Sequence, residues 1–318
     1  MKQYTDTGKK DTRSGFGVGL LEAGRRNPDV VALTADLKPS VKMDAFAAEF
    51  PDRFVECGIA ESNMVGVAAG LAISGKVPFA ATFAEFMTGR VYDQIRQEVA
   101  YGHTNVKLCS SHAGITLGED GATHQTMEDI ALMRALPGMT VLVPCDYNQT
   151  VQATIAAAEF KGPVYLRFGR PSVPNFTPEG EHFQIGKVYE MNPGTDVTLI
   201  ACGHLVWEAL QAAQTLEDEG VSAEVLAVPT VKPLDSEAIV NSLSKTRCAV
   251  VAEEHNLAGG LCEAVAGVAA TRCPVPLEFV CGADRFGQSG TPAELMAAYG
   301  LDAAHISDAA RKALARKQ

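Results

Sequence analysis

Uninterrupted apolar runs, each followed by a longer stretch of helical period, constrain this chain more than any other feature. DVVALT (29–34), RFVEC (53–57), VPFAATF (77–83), VKLCS (106–110), MTVLVP (139–144) and PVYLRF (163–168) are the first six. A strand with one wet face alternates apolar and polar residues. These runs largely do not, so both of their faces are expected to be covered. Stretches of helical period at 14–26, 61–74, 86–101, 125–135 and 147–159 lie between or beside them. The alternation predicts an α/β fold: a doubly wound, mainly parallel sheet with helices on both sides.

RPSVPNFTPEGEHF (170–183), with three prolines and a glycine, breaks that rhythm and reads as a linker. A second alternation follows, with strands at DVTLIACG (196–203), VSAEVLAV (221–228), RCAVVAEE (247–254) and PLEFVCG (276–282). Helices are expected up to about 220, from 235, from about 259, and over 303–317. Two doubly wound α/β domains are therefore expected, 1–177 and a smaller 178–318, and 318 residues suffice for each to close its own core.

Composition narrows the class of partner. With 38 acidic against 27 basic residues the formal charge is −11, which argues against nucleic acid or an anionic membrane. No apolar run is long enough to span a bilayer, and the polar start MKQYTDTGKKDTR lacks the character of a signal peptide. The eight cysteines (57, 109, 145, 202, 248, 262, 273, 281) are scattered without a CxxC pair, so reduced thiols in a cytoplasmic protein are expected.

Ligands of open parallel sheets gather beyond the carboxyl ends of the strands. The loops expected there are TADLKPS (34–40), CGIAES (57–62), TFAEF (82–86), SSHAGITLGEDGATHQ (110–125) and RFGRP (167–171). The fourth is far longer than an ordinary βα connection and carries His112, Glu119, Asp120 and His124. Glu61 stands out differently, as a lone acid in an otherwise apolar segment. It fits the first turn of a helix, where carboxylates are favoured, and it also fits a functional acid. His112 and His124 with Cys109 make an incomplete zinc set, and no metal site is expected on this chain. GFGVG (15–19) follows no strand and reads as a close-packed helix start rather than a dinucleotide loop.

Taken together, VECGIAESNMVGVAAGLA, ATFAEFMTGRVYDQIR, HAGITLGEDGATHQTMEDIALMRALPGMTVLVP and YLRFGRP resemble the C-terminal half of transketolase, in the form found as a separate subunit of split transketolases. VVAEEHNLAGGLCEAV and FGQSGTPAELMAAYGL extend the resemblance into the second domain. It implies a pyrimidine-binding domain for thiamine diphosphate followed by the family's smaller C-terminal domain. Glu61 then matches the glutamate that hydrogen-bonds N1′ of the cofactor's aminopyrimidine. The physics agrees, because an apolar pocket disfavours an ionised carboxyl and suits it to holding and sharing a proton.

Other roles carry over by the same resemblance. Phe86 matches the ring that stacks on the pyrimidine, with Phe83 supporting it, and Asp36 an acidic residue close to the cofactor. His112 and His124 match histidines that contact the sugar's oxygens, and Asp120 the aspartate that reads a substrate hydroxyl. Arg13, Ser40 and Arg170 match the grip on a sugar's phosphate, a sensible use of two guanidiniums and a hydroxyl.

The family's diphosphate motif, a Gly-Asp-Gly with a downstream asparagine, is missing here. The resemblance therefore implies an N-terminal-type partner subunit that brings that motif and the Mg2+ or Ca2+ ion, with the cofactor shared between unlike chains in a dimer of heterodimers. The activity implied is transfer of a two-carbon ketol unit from a ketose phosphate to an aldose phosphate. The alternatives are the β subunit of a 2-oxoacid dehydrogenase, a deoxyxylulose-phosphate synthase-like enzyme, and a silent chain that kept the fold.

Overall fold

The computed structural model describes residues 4–317. The first three residues, which begin the polar start and the first expected domain, and the last residue of the second lie outside the described residues. In chain order the strands are β1 (Lys10–Asp11), β2 (Val30–Thr34), β3 (Phe54–Glu56), β4 (Val77–Phe83), β5 (Lys107–Ser111), β6 (Thr140–Leu142), β7 (Val164–Arg167), β8 (Ser172–Val173), β9 (Tyr189–Asn192), β10 (Val197–Ala201), β11 (Ala223–Ala227), β12 (Thr230–Lys232), β13 (Ala249–Asn256) and β14 (Leu277–Gly282).

The larger sheet has the order β12-β6-β7-β5-β4-β2-β3, and the smaller β14-β13-β10-β11-β9. Neighbours are parallel in both except at one edge of each, where β12 and β9 pair antiparallel. The expected mainly parallel architecture is therefore present twice, each time with an antiparallel edge strand. Both faces of the larger sheet are covered, as the unbroken apolar runs require. On one face Phe16, Leu20, Phe46, Ala153 and Ala157 lie over Ala32, Phe79, Cys109, Leu142 and Leu166. On the other, Met64, Ala68, Met87, Ile95, Ile130 and Met133 cover Leu33, Ala80, Leu108 and Val141. That second cluster continues through Ile200, Leu226, Val251, Leu261 and Val265, so the two sheets share one apolar body. Lys107 is the exception within β5. Its buried ammonium donates to Asn105 Oδ1 at 2.7 Å and to the carbonyls of Phe160 and Gly162, both at 2.8 Å.

The structure differs from the sequence pattern in short elements and at helix ends. The β1–β8 pair and β12 are two or three residues long, too short to show a period. The helix expected over 86–101 is broken into Ala84–Thr88, Tyr92–Gln94 and a π-turn Ile95–Tyr101, with Gly89 at the break. The helix expected from 125 begins at Asp129, because Gln125 and Thr126 are drawn into the preceding loop.

GFGVG is the close-packed helix start its context suggested. The helix Thr12–Arg26 lies against Tyr147–Glu159 so tightly that a Cβ on Gly15 would stand 2.6 Å from the Tyr147 carbonyl oxygen. One on Gly19 would stand 2.7 Å from Thr154 Cβ. Gly19→Ala is accordingly expected to destabilise the chain by ~1–3 kcal/mol through overpacking, outweighing the ~1 kcal/mol gain in helix propensity. Urea unfolding of the two proteins measures this.

Candidate active site

Because β2, β3, β4, β5 and β7 run parallel, their carboxyl ends open on one edge of the sheet. From β2 the chain passes to β3 on one side and then to β4 on the other, so the topology reverses around β2. Glu61 follows β3, Phe83 ends β4 and Phe86 follows it at that reversal, Asp36 follows β2, and His112 and Arg170 follow β5 and β7.

Glu61 opens the helix Glu61–Ile73 and is buried, at 5% exposure. The helix dipole favours a carboxylate there but does not offset the burial of a charge. Arg90 does. Its Nη1 donates to Glu61 Oε1 at 2.9 Å, while its guanidinium carbon sits 4.1 Å from the centroid of the Phe86 ring. The sequence places Glu61 in a purely apolar pocket, and the structure corrects this by supplying a cation from the Gly89 break. The pair is buried on one side only, since the Arg90 side chain is 49% exposed.

A column of rings continues from that point. Phe86 and Phe83 are stacked with centroids 5.7 Å apart, Phe83 and His112 with centroids 3.8 Å apart, and His124 meets Phe86 edge-on at 5.4 Å. Ser111 Oγ lies 2.7 Å from His112 Nδ1 and Thr123 Oγ1 lies 2.9 Å from His124 Nδ1, contacts that orient both rings. His112 is held in the left-handed backbone region at φ 60°, a conformation that costs a non-glycine residue ~1 kcal/mol or more. Burial pushes its pKa down to about 3, and the positive charges of Arg13, Arg170, His124 and Lys42 push in the same direction. It is therefore a neutral imidazole at ordinary pH.

The other expected residues are placed unequally. Arg13 Nη1 donates to the carbonyl of Ser40 at 3.3 Å, so these two are together, and Arg13 Nε also meets Asp11 at 3.2 Å. Arg170 turns instead to the Leu117 carbonyl at 2.7 Å and to Glu119 at 3.2 Å. Asp36 and Asp120 are exposed, and the Asp36 amide donates to Glu56 Oε1 at 2.7 Å.

Two residues at this edge escaped the sequence reading. Lys42 shows no pattern that would have singled it out. Arg90 shows none either, because it stands in the turn after the helix Ala84–Thr88 and not on a continuous helix over 86–101.

Comparison with known proteins bears on what this edge is for. Residues 8–175 match the family model of the transketolase pyrimidine binding domain, and residues 186–306 that of the transketolase C-terminal domain. The chain belongs to the transketolase family. It is 44% identical over 301 residues to a putative transketolase C-terminal section of Methanocaldococcus jannaschii, covering 94% of each chain. It is 43% identical over 298 residues to a 6-deoxy-6-sulfo-D-fructose transketolase subunit of a Clostridium species, covering 94% of this chain and 92% of that one. Among solved structures, a split-gene transketolase described as an inactive β4 tetramer superposes with a TM-score of 0.91 at 43% identity, over 98% of this chain and all of that one. The transketolase of Leishmania mexicana, at 23% identity and a TM-score of 0.81, shares the fold over 99% of this chain and 47% of its own.

Transketolase-family enzymes use thiamine diphosphate, and the residues present fit one end of it. The Arg90 guanidinium is a planar N–H donor, stacked on Phe86 and hydrogen-bonded to a buried carboxylate. An aminopyrimidine ring could stack on the same phenylalanine, and its ring nitrogen, an acceptor when neutral, would take a hydrogen bond from Glu61 in its protonated form. Among the described residues, no group of three or more His, Cys, Asp or Glu is arranged to hold a metal ion.

Two outcomes follow from this geometry. In the isolated chain, a double-mutant cycle of Glu61→Gln and Arg90→Ala is expected to give a coupling of ~1–2 kcal/mol in urea unfolding, since one partner is buried and the other half-exposed. The unfolded chain protonates His112 near pH 6.5, whereas the folded chain does so near 3. Protonation thus favours unfolding, and this contribution to stability is lost as pH falls from 6.5 toward 3. His112→Asn should flatten that part of the stability–pH curve, measured by thermal melts across the window.

Proposed function

We propose that this chain is the pyrimidine-binding subunit of a two-chain transketolase, which moves a two-carbon ketol unit from a ketose phosphate to an aldose phosphate. The observation that carries the reading is the buried Glu61 carboxylate facing a planar N–H donor on Phe86. Thiamine diphosphate, when bound, supplies the nucleophilic carbon and the electron sink for C–C cleavage.

This chain's residues do the rest. Glu61 hydrogen-bonds the ring nitrogen and holds a proton there. Phe86 fixes the ring plane, Phe83 backs it, and Asp36 stands beside the site. Neutral His112, together with His124, donates to or takes protons from the sugar's oxygens, and Asp120 binds a hydroxyl. Arg13, Ser40 and Arg170 grip the sugar's terminal phosphate, and the positive charge of the two arginines that bears on His112 favours an anion nearby.

The companion is an N-terminal transketolase-type chain carrying the diphosphate motif and a divalent cation. The helix beginning at Glu61 presents exposed Ser62, Asn63, Gly70 and Ile73, flanked by exposed Ile59 and Tyr101, and this surface suits its docking. The relative described as an inactive β4 tetramer accords with a chain that does not act alone. We assign the division into domains to the linker near residue 178, the assembly to a dimer of heterodimers, and the setting to sugar-phosphate metabolism in the cytoplasm. A 2-oxoacid dehydrogenase β subunit and a deoxyxylulose-phosphate synthase-like enzyme are not favoured, because the relatives matched are transketolase sections and subunits.

Turnover of a ketose phosphate with an aldose phosphate tests the assignment. The chain alone is expected to be inactive, and the equimolar pair active with metal and cofactor. Glu61→Ala should lower kcat of the pair by ~100-fold or more with its fold retained by circular dichroism. Unchanged turnover in that variant would favour a silent scaffold.

A further inference from the structure

The second domain ends strand β13 in Glu253-Glu254-His255-Asn256, and all four residues act at or beside the boundary with the first domain. Glu253 stays within its own domain, accepting from the amides of Leu261 and Cys262 at 2.7 Å each and capping the helix Leu261–Arg272. The other three reach across. His255 Nε2 accepts from the Ala131 amide at 3.3 Å, and the Asn256 amide donates to the Met127 carbonyl at 2.8 Å. Glu254 reaches furthest, for its Oε1 accepts from the Thr116 amide at 2.7 Å.

Thr116 lies near the middle of the loop that carries His112 at one end and His124 at the other. Most of that loop has no ladder or helix to hold it, so its few anchors fix where the two imidazoles stand. Glu254 is a costly anchor unless its charge is met. Its Oε2 lies 2.9 Å from His204 Nε2. Its own carbonyl accepts from Arg167 Nη2 at 2.9 Å, and Arg167 in turn donates to Asp129 at 2.7 Å. Gly114 completes the fit, because a Cβ there would stand 2.2 Å from the Glu254 carboxyl carbon. A second contact closes the loop's far end. Gln125 Nε2 donates to the loop carbonyls of Ile115 and Gly118 and to the second-domain carbonyl of Gln288, at 2.9, 3.1 and 3.0 Å.

We propose that Glu254 is a positioning residue for the sugar substrate, through which the second domain holds the His112–His124 loop in its binding geometry. The inference rests on the reading that this loop faces the sugar. It assigns the second domain a part in the site beyond shared packing.

The test uses Glu254→Ala and Glu254→Gln, each in the full chain and in the pair with the diphosphate-binding subunit. In the chain alone, Ala should speed hydrogen exchange of the Thr116 amide by ~10-fold or more, with the amides of β4 unchanged as the control for global unfolding. In the pair, Ala should raise KM for the ketose phosphate by ~10-fold while kcat falls by less than ~3-fold. Glutamine keeps an oxygen for the Thr116 amide and should restore both values to within ~3-fold of wild type. Wild-type exchange at Thr116 in the alanine variant, or faster exchange with unchanged KM and kcat, overturns the proposal. Should His124→Ala leave the kinetics unchanged, the loop's assignment to the sugar fails, and this inference fails with it.

Discussion

A carboxylate taken out of water must be met by a cation or by hydrogen-bond donors, and the functional edge of this molecule is organised by that requirement. Leaving one unpaired costs several kcal/mol, a large share of a domain's net stability. Each buried acid here has at least one such partner, although Asp129 Oδ1 is left without a hydrogen bond. Glu61 has Arg90. Asp129 has Arg167 and Tyr165, both at 2.7 Å, and these outweigh the burial that alone would raise its pKa, so it is held below the usual range. Burial also works to raise Glu254, and His204, Arg167 and the Thr116 amide reverse it. Asp146 accepts from the amides of Gln149, Phe176 and Thr177 and from the Thr177 hydroxyl, tying the linker to the helix Tyr147–Glu159. The acids thus act as joints. They connect loops to strands, and one domain to the other.

Of these joints, the one at Glu61 has a half-exposed partner. Arg167 is buried with Asp129, whereas Arg90 is half-exposed and reaches its acid over the face of Phe86. On the proposed reading, a cofactor ring in place of the guanidinium would keep the stacking on Phe86, and Glu61 would then carry the proton of the hydrogen bond to the ring nitrogen. The exchange would set the half-exposed arginine free to move into water, which a surface cation does at little cost. On that reading, the buried acid would be satisfied before the cofactor arrives without the site being closed to it.

Much of the scaffold was legible in the sequence because parallel strands buried on both faces leave an unmistakable apolar signature. β4 and the helix Tyr147–Glu159 fall where the pattern puts them, and the strand ends locate Glu61, Phe86 and His112 on one edge. What escaped notice depends on contacts between residues far apart in the chain. Arg90 reaches Glu61 only because the helix expected over 86–101 breaks at Gly89. The link from Glu254 to Thr116 spans 138 positions. Neither has a period to betray it. Capping of the helix Pro292–Tyr299 by Thr291 and Glu294 is a different case, for Thr-Pro-Ala-Glu is a local start signal that was present to be read.

The central claim is that Glu61 meets the cofactor's ring while another chain holds its phosphates. Calorimetric titration of thiamine diphosphate, with Mg2+ present, into the isolated chain and into its equimolar pair with the companion subunit tests it most directly. The account predicts no measurable heat for the chain alone, saturable binding with one site per heterodimer for the pair, and affinity at least ~10-fold weaker for the pair bearing Glu61→Ala. Tight binding by the isolated chain, or unaltered affinity in the Glu61→Ala pair, would contradict it.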